Sequence, residues 1–464
     1  MKKKVWISII ISIIVCGIPS TMGKSFQNSE ESSQDYPLGL SDSDSWSRIV
    51  KEGERIFWPY CELINGSLFI IGETELDHLY ISKFNSSGNR EWELIIKLKG
   101  DSYISYVFDN ENNLFILSKY YSSKNISLVK VNSSGAVLFS KEISLELSSY
   151  DLALVLSDNN SLLVLGYYDQ RDHPKRFFLM KFNNVGQFLW NTSYYIDYAY
   201  NSYFIEDSGN NIYLQFWNNS INYLAKFNSS GVILWQTALV DGFETFLIDS
   251  NEELFVVGEK SYTTVYIHKL NSTGNRIEEI LIEYINGKYL RVWYLDDLFV
   301  FNYVDMSLLC YDLNLNLIWN SSLSDYLGSY WLAQTFLAKD SHDNVYILQN
   351  NGLGNIDLVK ISSTGNFLSQ KIWGGGTVKR PRSLNIDLDN NVYFLCNCEY
   401  SNIWGYWAEY TILVKNPVNG GIPPELKREL VIEDYFIFSV IGISCIISLL
   451  ALLSILRSNK RRIS

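Results

Sequence analysis

Residue types that could carry chemistry are sparse in this chain and poorly spaced for it. Four histidines, His78, His173, His268 and His342, form no His-x-x-x-His pair and flank no Gly-x-Ser-x-Gly turn, so neither a zinc protease nor a serine hydrolase can be assembled from local sequence. His268 directly precedes Lys269 in an apolar run and reads as a strand residue. Of six cysteines, Cys16 and Cys445 fall in apolar terminal segments, leaving Cys61, Cys310, Cys396 and Cys398 for the body of the chain. Cys396-x-Cys398 has no second ligand pair of the kind a zinc site needs. Two readings stand for these thiols: small buried strand residues, or partners in a disulfide where the compartment is oxidising.

Acidic clusters occur at Asp109-Asn110-Glu111-Asn112, Asp340-Ser341-His342-Asp343 and Asp387-Leu388-Asp389-Asn390. Calcium is one reading of them, but no Asp-x-Asp-x-Asp-Gly with a distal Glu is present. Asp, Asn and Gly are also what a tight turn requires, so turn formation is the first expectation. No catalytic constellation and no resident cofactor are expected. Sequons of the Asn-x-Ser/Thr type are dense, at Asn65, Asn85, Asn125, Asn132, Asn159, Asn191, Asn218, Asn228, Asn271 and Asn320, and mark N-glycosylation sites if the chain is exported to a glycosylating compartment. With 32 Tyr, 24 Phe and 13 Trp, aromatic side chains either line a carbohydrate-binding face or pack between strands, and their regular placement favours packing.

That placement follows an internal repeat. Lys83-Phe84-Asn85-Ser86-Ser87-Gly88 returns as Lys130-Val131-Asn132-Ser133-Ser134-Gly135, Lys226-Phe227-Asn228-Ser229-Ser230-Gly231 and Lys269-Leu270-Asn271-Ser272-Thr273-Gly274. Looser copies begin at Lys181 and Lys360, with degenerate ones at Cys310 and Lys415. The spacing of about 41 to 51 residues is in the range of propeller blades. The phrase is a hairpin turn, with Gly at a left-handed position. An aromatic follows a few residues later in most copies, as at Trp92, Phe139, Trp190, Trp235 and Trp319. A second phrase lies upstream of each lysine, as in Asn113-Leu114-Phe115-Ile116, Asn211-Ile212-Tyr213-Leu214 and Asn391-Val392-Tyr393-Phe394. Four short β-runs per unit make one blade. The expected fold is therefore all-β, a propeller of about eight four-stranded blades over 46–415, with seven as the alternative if the degenerate units near 278–320 merge. The ring closes either with one complete blade or with a blade sewn from both ends. Closure makes the first and last units neighbours, which is what brings Cys61 within reach of Cys396 or Cys398 as a candidate bridge.

The ends carry targeting signals. Lys2 to Lys4, an uncharged run from Val5 to Ile18 and small residues to Gly23 give the layout of a secretory signal peptide over 1–23. Residues 24–45 form a polar leader, and 416–435 a stalk containing Pro, Gly and charge. Residues 436–456 are a run without ionisable groups, long enough at about 1.5 Å per residue to cross about 30 Å of hydrocarbon. Arg457, Lys460, Arg461 and Arg462 follow in the tail 457–464, so the positive-inside rule places the C-terminus in the cytoplasm. The expectation is a single-pass membrane protein whose body lies outside the cell membrane.

Charge excludes one class of partner. The chain has 50 acidic against 38 basic residues, and seven of the basic ones lie in the terminal segments, leaving the exported part near −19. A phosphate-tracking nucleic-acid binder is not built this way. Together, Trp373-Gly374-Gly375-Gly376, Ile386-Asp387-Leu388-Asp389-Asn390-Asn391-Val392-Tyr393 and the Lys-Phe-Asn-Ser-Ser-Gly hairpin resemble the SBBP-type β-propeller repeat of bacteria and archaea, a relative of PQQ-like propeller repeats. The resemblance covers roughly residues 46–418, although most units lack the Gly-Gly segment. It implies an ectodomain for adhesion, recognition or scaffolding that binds an extracellular protein, glycan or envelope component. A propeller enzyme of quinoprotein or glycan-cleaving type, and a structural envelope component, are the alternatives it leaves.

Overall fold

The computed structural model describes residues 45–421 except for 52–55, 77, 98–101, 121–123, 146–148, 157–159, 169–175, 197–203, 219–220, 240–242, 250, 262–263, 284–289, 304, 328–333, 375–377, 402–406 and 417–419. The signal peptide, nearly all of the leader and stalk, the apolar run 436–456 and the basic tail lie outside the described residues. No described helix is long and apolar enough to cross a membrane.

Apolar runs broken by Asp/Asn and Asn-Ser-Ser-Gly turns fold into eight antiparallel sheets. Blade 1 consists of Ile56–Ile64, Ser67–Thr74, His78–Phe84 and Arg90–Lys97; blade 2 of Ser102–Phe108, Leu114–Tyr120, Asn125–Val131 and Val137–Ser144. Blade 3 is Ser149–Leu156, Leu162–Tyr168, Arg176–Phe182 and Phe188–Tyr195, and blade 4 is Phe204–Glu206, Ile212–Asn218, Ile221–Phe227 and Ile233–Ala238. Blade 5 follows as Phe243–Ile248, Leu254–Ser261, Thr264–Leu270 and Arg276–Glu283, and blade 6 as Leu290–Tyr294, Leu298–Asn302, Ser307–Tyr311 and Leu317–Ser322. Blade 7 is Thr335–Lys339, Val345–Asn350, Ile356–Ile361 and Phe367–Gly374, extended by Gly420–Gly421 of the expected stalk, which pairs in parallel with its last strand. Blade 8 is Val378–Ile386, Val392–Ser401 and Trp407–Lys415, completed by Trp46–Ile49 from the other end of the chain. The worn unit near 278–320 thus makes a blade of its own, and the last blade is sewn from both ends.

The first strand of each blade is the inner one. The first strands of blades 8 and 1, of 2 and 3, and of 7 and 8 pack on one another. Second strands are covered on both sides, so they read as unbroken apolar runs such as Leu162–Tyr168, buried at every position. Fourth strands alternate exposed and half-buried positions, as in Arg90–Lys97, because one face meets solvent at the rim. The core has no single centre. Its eight apolar clusters each lie between two consecutive blades, the last joining Cys61, Ile70 and Tyr80 of blade 1 to Tyr393, Leu395 and Leu413 of blade 8.

Two repeated turns shape one face of the ring. Between third and fourth strands, the first turn residue pairs with the fifth, as Asn85 does with Asn89. The Asn85 Oδ1 accepts the amides of Ser87 and Asn89, and Gly88 takes a φ of 77°. This glycine also has a packing duty. A Cβ on Gly88 would lie 2.8 Å from the Trp46 ring, and one on Gly135 2.8 Å from Trp92. Gly274 meets Trp235, and Gly365 meets Trp319, in the same way. The indole then donates to the same turn: Trp92 Nε1 to Ser133 O at 3.1 Å and Trp319 Nε1 to Ser363 O at 3.0 Å. Trp46, Trp92, Trp190, Trp235 and Trp319 are each clasped in this way by the glycine turn of the next blade.

Candidate functional site

The structure places the cysteines apart. The four described cysteines are free and buried. Pleating separates the expected partners: Leu395 faces blade 1 and Cys61, whereas Cys396 and Cys398 face blade 7 with Tyr346 and Trp373. The candidate bridge from Cys61 is therefore not formed, and the four thiols are the buried strand residues of the other reading; the Cys396 and Cys398 sulfurs lie 3.9 Å apart. Burial pushes the Cys61 thiol up, helped by the neighbouring Glu62 carboxylate. Burial, with the Asp297 carboxylate, pushes Cys310 up to about 12, so these groups stay protonated and unreactive at neutral pH.

The acidic clusters are occupied by their own turns. Asp109 Oδ1 accepts the backbone amides of Glu111 and Asn113, and its Oδ2 pairs with Lys130 at 3.1 Å. Asp340 repeats this with His342, Asn344 and Lys360, while Asp387 caps Asp389 and Asn391 and accepts the Tyr393 hydroxyl. Among the described residues no group of three or more His, Cys, Asp or Glu side chains is arranged to hold a metal. His268 stacks on Tyr266 and meets Glu279 at 2.7 Å within its sheet. His342 lies on an exposed turn, where its Nδ1 accepts from Asn390.

The sequon asparagines divide into two groups. Asn85, Asn132, Asn228 and Asn271 are half-buried turn residues whose Oδ1 atoms each take two backbone amides. Asn65, Asn125, Asn191 and Asn320 are exposed, Asn218 is half-buried, and Asn159 lies outside the described residues.

Two features stand apart from the repeat. On the turn face, a cavity of about 700 Å³ spans the inner-strand ends of blades 6, 7 and 8, lined by Asp296, Leu337, Lys339, Asp343, Leu384 and Ile386 among others. Among its charges, Lys339 pairs with Asp296 at 3.3 Å and with Asp343 at 3.0 Å. On the inner strands of blades 8, 1 and 2 lies a second cluster. The Arg382 guanidinium stands 5.3 Å over the Trp58 ring, the Tyr60 and Tyr106 rings are 5.9 Å apart, and Tyr106 donates to Glu62 Oε1 at 3.1 Å. Burial raises the Glu62 carboxyl above its ordinary value. Sequence alone does not single these residues out, because none occupies a repeated position; their departure from the repeat is the one signal.

The two faces of the ring also differ. Turns between third and fourth strands hold five residues in every complete hairpin, from Asn85–Asn89 to Ser362–Asn366. The connections leaving the opposite ends of the strands range from 219–220 to 323–334 in the sequence.

No family model matches the chain, and no curated protein matches it. Solved structures are similar to it at low identity. A protein of unknown function from Bacteroides caccae aligns over 66% of this chain and 92% of its own at 14% identity and a TM-score of 0.35. An inactive variant of virginiamycin B lyase from Staphylococcus aureus with quinupristin aligns over 67% and 94% at 10% identity and 0.40. A putative 6-phosphogluconolactonase from Bacteroides fragilis aligns over 64% and 93% at 12% identity and 0.40. At this level none of these likenesses bears on function.

Proposed function

We propose that the chain is a single-pass cell-surface protein whose extracytoplasmic propeller binds a protein, glycan or other component of the envelope. The observation that carries the reading is the asymmetry of the two faces. One face repeats a fixed turn, as a scaffold does. The connections of the other vary in length, and variable connections on a rigid scaffold are where partners are commonly recognised. Membrane anchoring rests on the signal layout, the run 436–456 and the basic tail, and the excess of acid in the exported part suits a surface that stays in solution and avoids nucleic acid.

Crosslinking on intact cells tests the reading. Leu76→Ser and Leu353→Ser, at 70% and 79% exposure in the variable connections, are each expected to lower capture of envelope components at least about tenfold, or about 1.4 kcal/mol. Leu388→Ala with Asp389→Ser, on the turn face, leaves capture unchanged. Equal capture by all three variants overturns the assignment of the face. A full chain released from membranes by alkaline carbonate overturns the anchor.

A further inference from the structure

Aromatic residues at the repeated second-strand position are buried, Phe69, Phe115, Tyr213 and Phe255 among them. Trp58 and Tyr60 break that rule, at 61% and 51% exposure. They lie on the inner strand of blade 1, where the ladder slips between Phe57 and Tyr60 and Trp58 takes a φ of 47°, a region that bulky residues enter only under constraint. The opposite strand accommodates the slip: a Cβ on Gly72 would lie 2.4 Å from Ile56 and 3.0 Å from the Phe57 carbonyl. Blade 8 carries a matching irregularity. Its inner strand slips between Pro381 and Ser383, leaving Arg382 out of the ladder, and Arg382 is the residue that stands over Trp58. Bulges re-aim side chains, and here two neighbouring strands each give up a ladder position so that an indole and a guanidinium meet.

We propose that Trp58, Tyr60 and Arg382, with Tyr106 and Glu62 beside them, form a binding site for a pyranose ring of a neutral glycan. This rests on the reading of the propeller as a binding module and names its ligand class. Exposed indole and phenol rings offer flat apolar surfaces to the C–H face of a sugar, while a planar multidentate donor and a carboxylate acceptor suit its hydroxyls. A cationic ligand is disfavoured, because Arg382 already takes the cation position over Trp58.

Isothermal calorimetry on the full chain in detergent, with cellotriose, maltotriose, mannotriose and N-acetylchitotriose as probes, tests the site. At least one probe is expected to bind with a Kd of about 1 mM or tighter. Trp58→Gly and Tyr60→Ala each weaken it tenfold or more. Glycine accepts a positive φ freely, so Trp58→Gly keeps or raises the Tm while losing the sugar; a merely structural tryptophan would do the reverse. Binding unchanged in Trp58→Gly, or a wild-type chain that captures envelope components yet binds none of the four sugars, overturns the site and leaves the broader reading intact. A wild-type chain that captures nothing overturns both.

Discussion

The repeated lysine has a structural duty. Lys226 lies with its ammonium 4.8 Å over the Tyr213 ring and 2.9 Å from Asp207, a carboxylate that also caps its own turn through the amides of Gly209 and Asn211. Lys130 and Lys360 repeat the arrangement on Phe115 with Asp109 and on Tyr346 with Asp340. Removing the lysine leaves the buried Asp207 carboxylate without its counter-charge, so Lys226→Met is expected to cost about 3 kcal/mol in denaturant unfolding. Adding Asp207→Asn recovers part of that loss, because the amide oxygen still caps the turn without the charge. Acid should unfold the ring by the same contacts. Burial opposes the carboxylates of Asp109, Asp207 and Asp340, but the Asn side-chain and backbone amides and the lysines outweigh it and hold all three below their ordinary values. The unfolded chain takes up these protons first, so stability is complete above about pH 4 and falls as pH drops through the lower folded values, which a Tm series across pH measures. The lysine is legible in the sequence because it recurs. Its acid is not, since Asp207 stands well upstream of Lys226 and reads as turn chemistry alone.

At the scale of the element, the clasp between a glycine turn and the preceding blade's tryptophan sets the repeat. Gly135→Ala meets both a φ of 85° and the Trp92 ring at 2.8 Å, and is expected to cost about 2 to 3 kcal/mol. Gly66→Ala, with a φ of 74° and nothing within 4 Å of its Cβ, should cost only about 1 kcal/mol. Comparing the two Tm values separates close approach from backbone strain. Where the clasp is missing, both members change together. Blade 6 has Leu315 at the glycine position with a φ of 59°, and Glu278 of blade 5 stands where the tryptophan would be, opposite Lys269. In blade 7 that position is Ser369, opposite Lys360, since blade 8 makes no such hairpin. Glycine and tryptophan are both visible in the repeated phrase, but their contact is not, because each partner belongs to a different copy. The bulges at Trp58 and Arg382 leave still less trace, as they arise from pairing between strands whose sequences do not repeat.

For the whole molecule, closure depends on one short strand. Trp46–Ile49 pairs with Ile412–Lys415, Ser45 Oγ donates to Asn416 O, and the Trp46 ring is clasped by Gly88 of blade 1. Trp46→Ala is therefore expected to lower the Tm further than Trp235→Ala, whose blade is joined to its neighbours by the continuous chain on both sides. Limited proteolysis of the Trp46→Ala protein should cut first in blades 8 and 1. The sequence repeat reads outer strand first, one strand out of phase with the sheets, and this offset is what leaves one strand over at the N-terminal end to be joined to three at the C-terminal end. The pairing has a directional consequence. Trp46 lies opposite Lys415 and Ile49 opposite Ile412, so the chain before Trp46 and the chain after Lys415 leave from the same end of one ribbon. Opposed tension on the two termini would peel that ribbon rung by rung instead of shearing its rungs together. The ring can bear traction through its C-terminal side only while its N-terminal end is left slack.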